Sequence, residues 1–157
     1  MKHIIYALVE NKPGVLARIS GLFSARGFNI DSLAVGETHD PTMSRVSLVV
    51  DAKEEKILDQ IKKQLDKLID VISVTDLTKK KFFERELILV KIKTAKISKQ
   101  TLVNLLKKFP ATILSYDPKA AVIEAVGEKK QIIDLLDCLQ PMGIEELVRT
   151  GRIAIAQ

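Results

Sequence analysis

A helical rhythm near the start of the chain is carried by Val15, Leu16, Ile19, Leu22 and Phe23, which fall on one stripe, while Arg18, Ser20, Ser24 and Arg26 fall off it. Pro13 suits a first helical turn, which places the cap at Asn11 or Lys12. Gly27, just past the last periodic residue, is a natural left-handed terminator. An apolar run over 3–9 precedes this helix as a strand, and residues 29–37 follow it as a second. Residues 38–42 have the composition of a loop. Val46, Leu48 and Val50 then alternate with Arg45, Ser47 and Val49, the pattern of a strand with one buried face. Ile57, Ile61, Leu65 and Leu68, widened by Leu58, give a second helix over 54–68, with Lys62, Lys63 and Gln64 toward solvent, and 71–77 gives a fourth strand. The order β-α-β-β-α-β is the ferredoxin-like split repeat, two helices on one face of an antiparallel sheet. Its other face and at least one strand edge need covering.

Residues 78–81 are polar and charged and mark a boundary, after which the pattern restarts. A strand over 87–93 leads to a helix capped by Ser98, with Leu102, Leu105, Leu106 and Phe109 as its stripe and Pro110 as its end. Residues 112–115 and 121–126 form a hairpin around Asp117 and Pro118. Ile132, Leu135, Leu136 and Leu139 line a helix over 128–139, with Pro141 and Gly143 at its exit. Residues 144–157 supply a closing strand pair broken at Thr150 and Gly151. The expected class is α+β, with two ferredoxin-like βαββαβ domains at 1–78 and 79–157.

Composition narrows the function. The 157 residues are 46% apolar and only 4% aromatic, with no Trp, so the core is built from Ile, Leu and Val. No apolar run is long enough to cross a bilayer, and neither a signal nor a transit peptide is evident at the start. The lone Cys138 excludes a disulfide framework within the chain and fits a reducing compartment, so a cytoplasmic protein is expected. The net charge of +5 is uneven, −1 over residues 1–78 and +6 over 79–157.

Catalytic chemistry is hard to find. His3 and His39 are far apart, with no metal-ligating partner at useful spacing. Cys138 lies near the apolar side of its helix and is expected to be a small buried thiol. Asp66 and Asp70, like Asp134 and Asp137, occupy neighbouring helical turns and are expected on solvated faces. The glycines form neither a dinucleotide fingerprint nor a phosphate loop. Lys79, Lys80 and Lys81 beside Phe82 and Phe83 could hold phosphate and stack a base, yet the run is short, and a hinge is the favoured reading. The chain is expected to be no enzyme, to hold no metal or cofactor, and to bind neither membrane nor nucleic acid.

The first helix offers a different chemistry. Gly14 lies where backbone N–H groups lack helical partners, with no Cβ to keep a small ligand away, so a carboxylate could dock there with help from the helix dipole. Asn29 could add an amide donor and acceptor. From spacing alone, a plain capped turn at 11–14, with Asn29 as a turn residue, is the favoured reading.

The letters ENKPGVLARISGLFSARGFNIDSL at 10–33, DPTMSRVS at 40–47 and IKKQLDKLIDVISV at 61–74 resemble an ACT domain, and more closely the regulatory small subunits of acetohydroxyacid (acetolactate) synthase. RELILVKI at 85–92 and GIEELVRTG at 143–151 extend the resemblance to nearly the whole chain. It implies a homodimer through ACT domains, with a branched-chain amino acid, chiefly valine but also leucine or isoleucine, bound at the joint. Asn11, Gly14, Val15 and Leu16 would come from one copy, and Asn29 and Ile30 from the other. It further implies a catalytic large subunit that holds thiamine diphosphate, magnesium and FAD, is activated by this chain, and suffers valine feedback inhibition through it in branched-chain amino-acid biosynthesis. A free-standing ACT sensor and an amino-acid-responsive nucleic-acid binder remain as alternative readings.

Overall fold

The computed structural model describes residues 2–51 and 55–157, with backbone alone at 55 and 56. Two compact units result, Met1–Phe83 with Arg152–Gln157, and Glu84–Gly151. In the first, β1 (Lys2–Glu10), α1 (Val15–Ser24), β2 (Ile30–Glu37), β3 (Met43–Asp51), α2 (Glu55–Leu65) and β4 (Val71–Asp76) succeed one another. The sheet order is β2-β3-β1-β4, with β1 and β2 both antiparallel to β3. Ile5, Ala7 and Val9 of β1 and Val46, Leu48 and Val50 of β3 pack against Val15, Ile19 and Phe23 of α1 and Leu58, Ile61 and Leu65 of α2. This is the single continuous core that the helical and strand periodicities require.

Several local expectations are corrected. The α1 helix begins at Val15 with Gly14 as its cap, not Asn11 or Lys12. The Asn11 N–H is still held by Thr42 O across the sheet end, and the Lys12 N–H by Glu10 O, so the chain turns into the helix only at Gly14. At the other end Gly27 (φ +69) does close the helix, with Phe28 N–H to Phe23 O and Gly27 N–H to Ser24 O as the paired bonds of a Schellman motif. Leu16, expected on the buried stripe, is 42% exposed. The α2 helix ends at Leu65, and Leu68 packs against the core from the turn beyond it. The expected start of that helix at Glu54 lies outside the described residues.

The β3 strand is buried on both faces rather than one, because Val49 joins Ile4, Leu77 and Ala154 in a second cluster, with Tyr6 and Phe82 beside them. Ala154 comes from β9 (Ile153–Ala156), which pairs with β5 (Phe82–Lys93). The expected face in need of cover is thus partly covered by the chain's own last strand. β5 also starts five residues earlier than periodicity suggests, so Phe82 and Phe83 are strand residues. The unit boundary falls within it.

The second unit has sheet order β6-β7-β5-β8, from β6 (Ala111–Tyr116), β7 (Ala120–Gly127), β5 and β8 (Ile144–Arg149). Helices α3 (Lys99–Leu106) and α4 (Lys129–Leu139) bury Leu102, Leu106, Ile132, Leu135 and Leu139 against Ile88, Val90, Ile92, Ala121, Ile123 and Ala125. Ser98 caps α3 by accepting from the Thr101 N–H, as expected, and Glu128 with Gln131 forms a capping box on α4. Cys138 is exposed, contrary to expectation: it sits one residue before Leu139 and turns away from the stripe. The second unit is thus another α+β, ferredoxin-like repeat.

Candidate functional site

Gly14 adopts φ +84, ψ −11, and no side chain caps the helix it opens. The first-turn N–H groups of α1 therefore face outward without the side-chain acceptor that a Ser, Asp or Asn would provide. Val15 N–H makes only a long 3.4 Å contact to Lys12 O, and Gly14 O accepts the first firm helical bond, from Arg18 N–H at 3.0 Å. Beside this turn lies a cation that periodicity did not single out. Arg18 donates through Nε to Asp70 Oδ2 at 2.7 Å, and its Nη2 lies 2.6 Å from the same oxygen. Its remaining nitrogen, Nη1, would stand 3.0 Å from a Cβ built on Gly14. Asp70 is buried rather than on the expected solvated face, because it answers this guanidinium across 52 residues of chain. A cation in the first turn opposes the helix dipole unless an anion joins it. Asp70 supplies one such anion, and a ligand carboxylate at Gly14 would supply another.

Asn11 sits at the same end of the sheet. Its Nδ2 donates to Glu37 Oε1 at 3.0 Å and to Pro41 O at 2.9 Å, which ties the end of β1 to the β2–β3 loop. That loop is closed tightly on itself: Thr42 donates to Asp40 through both its N–H and its hydroxyl, which holds the Asp40 carboxyl below the usual carboxylate range. A shallow hollow of about 510 Å³ lies beside it, lined by Leu8, Glu37, Thr38, His39, Asp40, Met43 and Arg45.

Asn29 and Ile30 are elsewhere. Asn29 Nδ2 donates to Asp31 Oδ1 at 3.0 Å, and Asp31 is in turn paired with Lys2 at 3.1 Å. The strand register gives the placement: Glu37 opposes Ser44 and Glu10 opposes Met43 at one end, whereas Ile30 opposes Val50 and Lys2 opposes Asp51 at the other. Within one chain the structure brings Asn11, Gly14, Val15 and Leu16 together and sets Asn29 and Ile30 apart from them. At about 3.3 Å per residue, the length of β2 separates the two groups by roughly 23 Å. No single amino acid could span that.

Arg18 and Asp70 are what sequence reasoning missed. The available signal was an arginine in the first turn of a helix with no acid in that turn. Among the described residues, no group of three His, Cys, Asp or Glu side chains is placed to hold a metal, and no helix is long and apolar enough to cross a membrane.

Residues 5–73 match the model of the ACT domain of acetohydroxyacid synthase small subunits, and residues 85–157 match that of the small subunit of acetolactate synthase. The chain is 41% identical to a probable acetolactate synthase small subunit of Archaeoglobus fulgidus, over 100% of this chain and 98% of that one. It is 39% identical to the acetolactate synthase small subunit of Bacillus subtilis, over 100% and 91%. The crystal structure of the Thermotoga maritima small subunit superposes with a TM-score of 0.89 at 33% identity, covering 100% of this chain and 98% of that one. The chain belongs to the family of regulatory, non-catalytic small subunits of acetolactate synthase, and its first unit is an ACT domain.

Proposed function

We propose that this chain binds and activates the thiamine-diphosphate-dependent catalytic subunit of acetolactate synthase, and that it confers feedback inhibition by valine. The effector site is built from two copies. Gly14 and the first turn of α1, with Arg18 alongside, meet the amino-acid carboxylate on one copy. Asn29 and Ile30 of the other copy close the site from across the joint.

The observation that carries this reading is the separation of the two residue groups along β2. That strand is an edge, bonded on one side to β3. Two copies related by a twofold axis and paired antiparallel through β2 would bring the Glu37 end of one beside the Ile30 end of the other. Each dimer would then own two equivalent sites. Leu16 and Val35, 42% and 47% exposed, are the apolar surface near the Gly14 end that an isopropyl group and a partner strand would cover. Aliphatic neighbours of this kind discriminate weakly, since one methylene is worth about 1–3 kcal/mol, so leucine and isoleucine should bind as well, at reduced strength.

Inhibition follows if valine binds one arrangement of the regulatory dimer better than another, because equal affinity shifts nothing. A differential of about 1–3 kcal/mol suffices for a useful response. The thiamine diphosphate, magnesium and FAD belong on this reading to the catalytic partner, in the cytoplasm, and this chain contributes binding and coupling alone.

The test is calorimetric titration of the purified chain with valine, leucine and isoleucine, repeated on Gly14→Asp. Aspartate adds bulk at a positive φ, 3.0 Å from Arg18, and brings a charge that repels a carboxylate. Wild-type protein should bind valine, and the variant should stay dimeric yet show no heat. Undiminished valine binding by Gly14→Asp would put the ligand elsewhere.

A further inference from the structure

The basic-aromatic run at 79–83, read from sequence as a hinge, has a place in the fold that suggests a different use. Its strand, the start of β5, pairs with β9, and the Gln157 N–H donates to Lys81 O at 3.0 Å. The inner side of this two-stranded ribbon is fixed. Ala154 is buried among Ile4, Val49 and Leu77, with Phe82 against the same cluster. Arg45 donates through Nη2 to Ala154 O at 2.7 Å while its guanidinium lies 3.6 Å over the Tyr6 ring. Phe82 is therefore engaged with its own core and is not free to stack a base.

Strand alternation turns the neighbours of these residues the other way. Phe83 is 54% exposed, Ile153 51% and Ile155 60%. Three large apolar side chains on one short ribbon are a contiguous patch rather than the scattered single exposures common on any surface. Lys80 and Lys81 lie exposed at its border, and residues 77–83 and 151–157 contain no acidic side chain.

A border of one sign decides against a second copy of this chain, since a twofold contact would set lysines against lysines. We propose that the Phe83–Ile153–Ile155 ribbon is the docking surface for the catalytic subunit, whose facing surface carries an apolar centre flanked by Asp and Glu. This rests on the reading of the chain as a subunit of acetolactate synthase. The Arg152 N–H donates to Ser32 Oγ of β2 at 2.9 Å, so the ribbon abuts the strand whose edge is left for the regulatory dimer.

The experiment is a titration of purified catalytic subunit with the full-length chain, read as affinity and as activation, at several salt concentrations. Ile153→Ser with Ile155→Ser, and separately Phe83→Ser, should weaken binding at least about tenfold, as truncated anchors do at an interface centre. Lys80→Glu with Lys81→Glu should slow association and flatten its salt dependence. All three variants should keep wild-type heat stability and valine binding, because the substituted side chains are exposed. Wild-type affinity in every variant overturns the docking surface while leaving the subunit assignment standing. Failure of the wild-type chain itself to bind the catalytic subunit overturns both. Binding to anionic vesicles or duplex DNA that the variants lose, with catalytic-subunit affinity unchanged, would overturn the proposal in favour of that occupant.

Discussion

At Gly14 a left-handed backbone, the absence of a cap and the Arg18 guanidinium coincide. Each could be a detail alone, but together they make a turn that strains any side chain and sets a cation beside uncapped amides. The glycine and its bare amides were legible in the sequence. The cap itself was not, because the preference of proline for a first turn is generic, whereas the bonds that keep Asn11 in the sheet run to Glu37 and Pro41, 26 and 30 residues away. The pairing of Arg18 with Asp70 was illegible for the same reason, since the two stand 52 residues apart. A second residue with a testable environment is Asp117, whose carboxylate accepts the N–H groups of Ala120 and Lys119 and pins the β6–β7 turn. Those bonds lower its pKa, the Ala120 bond most and the Lys119 bond next. A depressed folded-state value stabilises the fold above the unfolded carboxylate pKa of about 3.9 and loses that contribution as pH falls through the folded value. A carbon-detected NMR titration should put the Asp117 midpoint below that of a model peptide. A midpoint at or above it would mean the turn bonds are not formed in solution.

Among the elements, the last strand teaches most. Sequence periodicity found the helices well, because Ile19, Phe23, Ile61, Leu102 and Ile132 each repeat at helical spacing and each is fully buried. It also found two βαββαβ runs. What it could not show is which core a four-residue strand of alternating Ile and Ala joins, since alternation states that one side is buried and not against what. β9 follows the second unit in the chain and packs with the first. The resulting asymmetry within β9 is measurable. Ala154→Asp puts a charge among Ile4, Val49 and Leu77 and should cost on the order of 2–4 kcal/mol in denaturant unfolding. Ile155→Asp, one residue along and exposed, should stay within about 0.5 kcal/mol of wild type. Equal losses would show that β9 is not seated as described.

For the whole molecule, the family resemblance and the physical reading meet at one point: the two groups of site residues lie at opposite ends of one sheet. On the proposed reading a single chain would offer two half-sites and no complete one, and valine binding would require a partner copy. That division suits a regulator, since a ligand at a joint between copies biases how the copies are arranged.

The most direct measurement of a shared site is complementation. Gly14→Asp spoils the carboxylate side of each half-site pair, and Asn29→Ala spoils the opposite side. Neither homodimer should bind valine. A heterodimer of the two combines an intact Gly14 end from one chain with an intact Asn29 end from the other, which restores one of its two sites. Equal amounts of the variants, mixed and allowed to exchange subunits, should therefore recover roughly a quarter of the wild-type valine-binding capacity in calorimetry, at wild-type affinity. A mixture with no recovered capacity, despite demonstrated subunit exchange, would contradict a site shared between two copies.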